Sequence, residues 1–345
     1  MFTYAVRRLL QLPVVLFVVS LAIVGLLQFL PPTSRAAAYV KNEQQLAHID
    51  EIIRQYNLDA PFYVQYWTWL KNALKGNLGF SRVDKKPVLQ AIADRFPTSA
   101  ELVLYAFLPT LFFSIWLGTL AAIHRDKFLD QLIRVLAVIF WSLPTFVLGI
   151  ALVAVVYGYF KLFGIGRLPP DLFIQLAQEQ AAGTFRSYTG LLTIDGLLNG
   201  RLDVTLTALK HLVLPTITLV LVLGAQIVRV MRSAMLDELG KDYVRTARAK
   251  GLPERVVHYK HARRNALIPV ITLAGVMFAF MLNGVVVTET IFNLPGLGQW
   301  AAAAALNLDQ PAILGFALFT ALLITLANIA VDLLYALVDP RIRYE

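Results

Sequence analysis

The sequence predicts an all-α polytopic membrane protein with six transmembrane helices, and two observations predict it. Hydrophobic residues make up 58% of the 345 and charged residues only 15%, whereas roughly a quarter of a soluble domain is charged. The apolar residues also gather into runs long enough to cross a hydrocarbon core, which needs about 20 helical residues at 1.5 Å each. Such runs must be helices, because lipid offers backbone N–H and C=O groups no partners. The formal charge of +9 does not mark a nucleic-acid binder, since Lys and Arg sit at the ends of apolar runs rather than on one basic face. With no cysteine, a disulfide framework, a thiolate metal site and a thiol nucleophile are all excluded.

The spans fall at Leu9–Leu30, Ala100–Ile123, Leu132–Phe160, Leu212–Val228, Leu267–Val287 and Pro311–Leu337. The first follows Arg7 and Arg8 and precedes Ala36–Ala38, as a signal peptide would. Its apolar core of about 22 residues exceeds the roughly 7–15 of a secretory segment, which favours a retained helix. The organisation is then an N-terminal transmembrane helix (1–30), an external helical loop (31–99) and a core of five further spans (100–345). That core holds an external loop at 161–210 and an inner loop at 229–266.

Orientation follows from the basic residues. With a cytoplasmic N-terminus, 17 of the 31 Lys and Arg lie inside, and nine of the 14 outside fall in the single loop 31–99. Loops that long translocate largely regardless of charge. Setting it aside leaves 17 against five, so both termini are expected in the cytoplasm.

The loop 31–99 is expected to be an ordered cap. Amphipathic segments LAHIDEIIRQYNL, APFYVQYWTWLKNAL and KPVLQAIADRF are separated by Pro61, Gly76–Gly79 and Pro97. Tyr63, Tyr66, Trp67 and Trp69 either anchor this cap at the headgroups or form a docking surface. Thr98 and Glu101 have capping-box spacing at the mouth of the second span, which gives Glu101 a structural role. The loop 161–210 is polar and glycine-punctuated and marks no ligand residue.

The polar island from Arg229 to Arg264 is the most informative segment. Tyr243–Lys250 reads as a short helix, Gly251 as its left-handed stop and Pro253 as the opening of the next helix. Ala247 and Ala249 are small enough for another backbone to approach, and Arg245, Arg248 and Lys250 carry charge. An ordinary basic loop obeying the topology rule has the same composition. The ordered string Asp242-Tyr243-Val244-Arg245-Thr246-Ala247-Arg248-Ala249-Lys250-Gly251-Leu252, followed by His261-Ala262, Arg264-Asn265-Ala266-Leu267 and Ile268-Pro269, is more specific. It resembles the cytoplasmic signature of ATP-binding-cassette importer permeases of the dipeptide/oligopeptide family. Arg245-Thr246-Ala247 stands where the wider family has a Glu-Ala-Ala triplet, and Arg264 where it has proline. YAVRRLLQLPVVLFVVS, SLPTFVLG at Ser142–Gly149, ETIFNLPGLG at Glu289–Gly298 and the terminal DLLYALVDPRIRY resemble the same family.

The resemblance implies a type I importer fold in the bacterial inner membrane. Tyr243, Arg245, Thr246, Ala247, Arg248, Ala249, Lys250, Gly251 and Leu252 would then couple the chain to an ATPase. It implies as partners a second homologous permease, two cytoplasmic ATP-binding subunits and an external solute-binding protein, around the lipid bilayer. No phosphate-binding G-x-x-x-x-G-K-[S/T] loop occurs, so this chain is expected to bind no cofactor, ATP and Mg being used by the partner subunits. Peptide is the implied solute, with oligosaccharides and other small solutes carried by relatives in that branch.

Polar residues inside the spans are few: Gln226, Asn283, Asn328 and Asp332. Such groups usually face the bundle interior or water. Asn283 and Gln226, with Glu289 at the outer mouth, are the candidates for a translocation path. Interhelical hydrogen bonding explains Asn283 equally, and bonding to nearby backbone explains Glu289. Asp332 is expected to pair with a basic residue. A secondary transporter would need its own ion site and broken helices in corresponding repeats. A hydrolase would need a nucleophile with a base, or a metal cluster. The five histidines show no H-E-x-x-H spacing, and no catalytic or metal site is expected.

Overall fold

The computed structural model describes residues 2–37, 39–40, 48–282 and 286–338, without the side chains of 2–9, 37 and 331–338. Five helices are long and apolar enough to cross a membrane: Leu10–Leu27, Val88–Ile123, Leu202–Leu239, Glu254–Leu282 and Gln310–Ala330. The pair Phe128–Ser142 and Thr145–Tyr159 is apolar enough together but turns by 100° at its break, the geometry of a broken span or a re-entrant loop.

In chain order, α1 (Phe2–Leu27) leads through α2 (Pro32–Ala37), α3 (Ile49–Gln55) and α4 (Phe62–Leu74) to a short hairpin of β1 (Phe80–Ser81) and β2 (Lys86–Pro87). Next come α5 (Val88–Ile123), α6 (Phe128–Ser142) and α7 (Thr145–Leu152), the last continuing as a π-helical stretch to Tyr159. Then follow α8 (Pro170–Ala181), α9 (Leu192–Leu198), α10 (Leu202–Leu239) and α11 (Asp242–Ala249). The chain closes with α12 (Glu254–Leu282), α13 (Val286–Ile291), α14 (Leu297–Leu306) and α15 (Gln310–Val338). Within α12, Val257–Ala262 is π-helical.

The centre of the bundle is α5 against α10. Small residues let the two backbones close up, as membrane helices do without a hydrophobic drive between them. A Cβ built on Gly118 would lie 2.7 Å from Met231 Cβ and 2.8 Å from the Val228 carbonyl. One on Gly224 would lie 2.6 Å from Ser114 Oγ. Around this seam, Leu102, Ala106, Ile227, Met231, Met235, Val270 and Met281 form the main core.

Two expectations fail at the N-terminal end of α5. The segment KPVLQAIADRF is not a separate cap helix; Lys86 and Pro87 form β2 and the rest is the first quarter of α5, which starts at Val88 rather than Ala100 and runs through Pro97. There is therefore no capping box at Thr98. Packing overrides the proline: Val88, Ala91 and Ile92 are buried against Leu297, Trp300 and Ala312, more than offsetting one missing backbone bond. Glu101 instead accepts from Thr193 N at 2.8 Å, Thr193 Oγ1 at 2.7 Å and Arg167 Nη2 at 2.9 Å. Its role is structural, as expected, but it anchors the loop 161–210 onto α5.

A third correction concerns the third span. Leu132–Phe160 reads as one run, yet the helix breaks at Leu143–Pro144. Leu143 is extended (φ −80°, ψ 127°), the region a residue before proline prefers, and Pro144 then opens α7.

The caps are built as small cores with polar hubs. Leu168, Leu176, Phe185, Leu192, Val204 and Ala208 pack together beneath α8 and α9. Asp195 organises that loop, accepting from Ser187 Oγ, Thr189 N, Thr189 Oγ1 and Gly190 N at 2.8–2.9 Å. Asp309, fully buried, takes Ser81 Oγ at 2.8 Å and Val83 N at 3.0 Å, tying the hairpin to the start of α15. On α4, Tyr66 is buried with Val24 and Leu314, while Tyr63 and Trp67 stay exposed. The four aromatics thus divide between packing and a free face.

Candidate coupling surface

The polar island does not begin as a loop. α10 runs on through Arg229 and Arg232 to Leu239, and only then does the chain turn, at Gly240 and Lys241, into α11. Asp242 lies in the first turn of α11 and Arg248 in its last, charges that complement the helix dipole. Gly251 has φ +74°. Its N–H bonds the Arg248 carbonyl at 2.9 Å, and Leu252 N–H reaches the Ala247 carbonyl at 3.4 Å. This pair of bonds is a Schellman stop. Pro253 follows as the cap residue of α12.

Only one face of α11 is held. Val244 and Ala247 are buried in the main core beside Met235, Val257 and Ala262. Arg245, Thr246, Arg248, Ala249, Lys250, Gly251 and Leu252 are exposed, and Tyr243 is half-buried. Ala247 is thus small to fit this chain's own core, not to receive another backbone, and Ala249 alone of the two alanines is available outside. Tyr243 donates to Glu238 Oε2 at 2.6 Å, with burial and that carboxylate raising its hydroxyl above the ordinary pKa. Arg248 spans the glycine turn to Glu254 at 2.8 Å. Among the described residues Arg245 pairs only with Asp242 on its own helix, at 3.1 Å between two exposed side chains. The result is a braced helix with a basic, solvated outer face.

Sequence reading missed the ion pair beside it. Asp130 on α6 is fully buried and accepts from Arg232 Nε at 2.6 Å and Nη2 at 2.7 Å, with Arg134 3.7 Å away. The Asp126 N–H also donates to it at 3.0 Å. The sequence offers two acids, Asp126 and Asp130, in a short basic segment, and nothing there says which one is buried.

Of the path candidates, Gln226 and Glu289 lie among the described residues. Asn283 lies outside the described residues, as does the side chain of Asp332. Gln226 is half-buried on α10 and Asn328 is exposed on α15. Glu289 is buried, and accepts from Ser99 Oγ at 2.6 Å and, as the backbone-bonding reading expects, from Gln299 N at 3.0 Å. Ser99 Oγ in turn accepts from Leu297 N at 2.8 Å. The physical reason is the start of α14, whose first N–H groups have no intrahelical acceptors. Burial pushes the Glu289 carboxyl up, against the hydrogen bonds from Ser99, Gln299 and Gly298. Among the described residues no group of His, Asp and Glu could hold a metal ion.

Known proteins place this architecture. Residues 114–344 match the family of binding-protein-dependent transport system inner membrane components, and residues 1–103 match the N-terminal region of such membrane components. The chain is 39% identical over 302 residues to a probable D,D-dipeptide transport system permease of Escherichia coli K12, covering 86% of this chain and 84% of that one. It is 34% identical over 349 residues to a dipeptide transport system permease of Alkalihalophilus pseudofirmus, covering 100% of both. It is likewise 34% identical over 346 residues to a glutathione transport system permease of Escherichia coli K12, again over the whole of both. The chain therefore belongs to the inner-membrane components of binding-protein-dependent transport systems, the multi-pass permeases of bacterial ATP-binding-cassette importers.

Proposed function

We propose that this permease imports short peptides, and that it does so in a complex with a second homologous permease, two ATP-binding subunits and an external solute-binding protein. In this reading the termini and α11 face the cytoplasm. The chain binds neither ATP nor Mg, which act in the partner subunits. The observation that carries the coupling role is α11: a helix fixed on one face by Val244 and Ala247, stopped by Gly251, and solvated on the other. A motor domain gripping that outer face moves the core directly, because α11 shares a cluster with Met231 and Met235 of α10. ATP-driven closure then shifts the spans between two packed arrangements by rigid-body motion. The names of the dipeptide and glutathione permeases it is similar to support a peptide solute.

The test is purification of the chain from its native membrane in mild detergent, followed by mass spectrometry and reconstitution. ATP-dependent accumulation of a labelled dipeptide, with two P-loop ATPases, a second permease and a binding protein recovered, is the expected result. Uptake driven by an ion gradient without any ATPase would overturn the reading.

A further inference from the structure

At the end of the bundle opposite α11, a cavity of about 60 Å³ lies between the close of α1, the cap and the start of α15. That volume is about two waters, or one phosphate-sized group. Its apolar wall is Val24, Leu27 and Leu314, and its polar wall includes Arg35, Gln28 and Gln65. Arg35 is 7% exposed. Its Nη1 donates to Gln28 Oε1 at 2.7 Å and to Gln65 Oε1 at 2.5 Å, and its Nη2 to the Leu58 carbonyl at 3.0 Å. Its Nε is buried without a partner among the described residues.

Every one of those acceptors is neutral. Other shielded arginines of this chain face carboxylates: Arg95 has Asp84, Arg167 has Glu101 and Arg232 has Asp130. Among the described residues Arg35 has no carboxylate partner, and a buried cation without a counter-ion gives up its hydration uncompensated. Burial accordingly lowers the Arg35 pKa from its ordinary value. The amides beside it are locked in place, with Gln65 Nε2 donating to the Leu58 and Ala60 carbonyls and Gln28 Nε2 to the Val24 carbonyl. Nearby, α4 exposes Tyr63 and Trp67, with Lys71 5.3 Å from the Trp67 ring centre, the side-chain mix of a headgroup layer.

We propose that this cavity binds one phosphate-type oxyanion as the counter-ion of Arg35, supplied by the headgroup of an anionic phospholipid or by free phosphate. The cavity's place at the ends of two spans gives a lipid phosphate access from the bilayer, and its polar wall gives free phosphate access from water. The site is independent of which solute the permease carries.

The experiment measures the Tm of the intact detergent-purified complex while phosphatidylglycerol or phosphatidylcholine is added, and separately while inorganic phosphate is added at fixed ionic strength. Two variants are compared: Arg35→Gln, which removes the charge, and Gln28→Glu, which supplies a built-in counter-ion. A saturable rise in Tm for the native complex that both variants flatten supports the site. Response to phosphatidylglycerol alone names the lipid, and response to phosphate alone names the free ion. Should Arg35→Gln fail to assemble, Gln28→Glu carries the comparison by itself. Equal rises in native and variant complexes, or no response of the native complex to either probe, would overturn the proposal.

Discussion

Asp130 and Arg232 meet through two parallel bonds, Nε to Oδ1 at 2.6 Å and Nη2 to Oδ2 at 2.7 Å, joining the first turn of α6 to α10 just before α11. A planar guanidinium on both oxygens of one carboxylate is a strong and directional arrangement. It fixes α6 to the helix that continues into the coupling surface, at the end where Ala122 closes α5.

Arg232→Met should destabilise the assembled complex by up to about 3–5 kcal/mol, because the buried Asp130 loses both short bonds and keeps Arg134 only at 3.7 Å. Adding Asp130→Asn to that variant should recover most of the loss. A double-mutant cycle in thermal unfolding reads the coupling directly; additive losses would show that the pair holds nothing together.

Gly251 has open space around the position a Cβ would take, so any penalty there is conformational. Gly251→Asn should be nearly silent, since Asn tolerates the left-handed region. Gly251→Val should distort the helix stop, at about 1–2 kcal/mol or more, and uncouple ATP hydrolysis from uptake while leaving membrane insertion intact. The check is the ratio of solute moved to ATP hydrolysed in proteoliposomes. Full transport by the valine variant would sever Gly251 from coupling.

Gly118→Ala forces a Cβ within 2.8 Å of the Val228 carbonyl. Overpacking of this kind costs about 1–3 kcal/mol. Thermal stability should fall accordingly, and Met231→Ala should not restore it, because alanine keeps the Cβ that lies 2.7 Å from the added atom.

Glu289→Gln should keep the fold, because an amide oxygen still accepts from Ser99 or Gln299. Glu289→Ala strands those donors and should cost about 1–3 kcal/mol, with the apparent affinity for solute unchanged. A solute-specific loss in the glutamine variant would return Glu289 to the pathway.

Burial raises the Asp195 carboxyl, but hydrogen bonds from Thr189, Ser187 and Gly190 outweigh it and hold the pKa below its ordinary value. A depressed carboxylate stabilises the fold above its unfolded pKa, about 3.9. That contribution is lost as pH falls through the lower folded value. The stability difference between native protein and Asp195→Asn should therefore be constant from neutral pH down to about pH 4 and shrink below it. A difference that does not change with acid would show that Asp195 works without its charge.

How much of this was legible in the sequence depends on the range of the interaction. Gly251 announced itself because a helix stop is local chemistry, decided by a left-handed residue and its immediate neighbours. The spans were legible because hydrocarbon imposes length and composition, yet Pro97 misled: its helix is held by Trp300 and Ala312, some two hundred residues on. Pro144 broke a span that hydropathy alone joined. Asp130–Arg232 and Arg35–Gln65 were invisible, since nothing near either residue names a partner across the fold. Glu289 stays open in the sequence between the path and backbone bonding, because capping α14 depends on a turn that Pro295 and Gly296 only hint at.

The most direct test of the central claim uses the absence of native cysteine. A single cysteine at Ala249, exposed on α11, and a control at Tyr63, exposed on α4, would each carry a short crosslinker in native membranes. Crosslinking of the Ala249→Cys chain to a P-loop ATPase, with a yield that changes with bound nucleotide, is the predicted result. An ATPase captured at Tyr63→Cys and not at Ala249→Cys would contradict it.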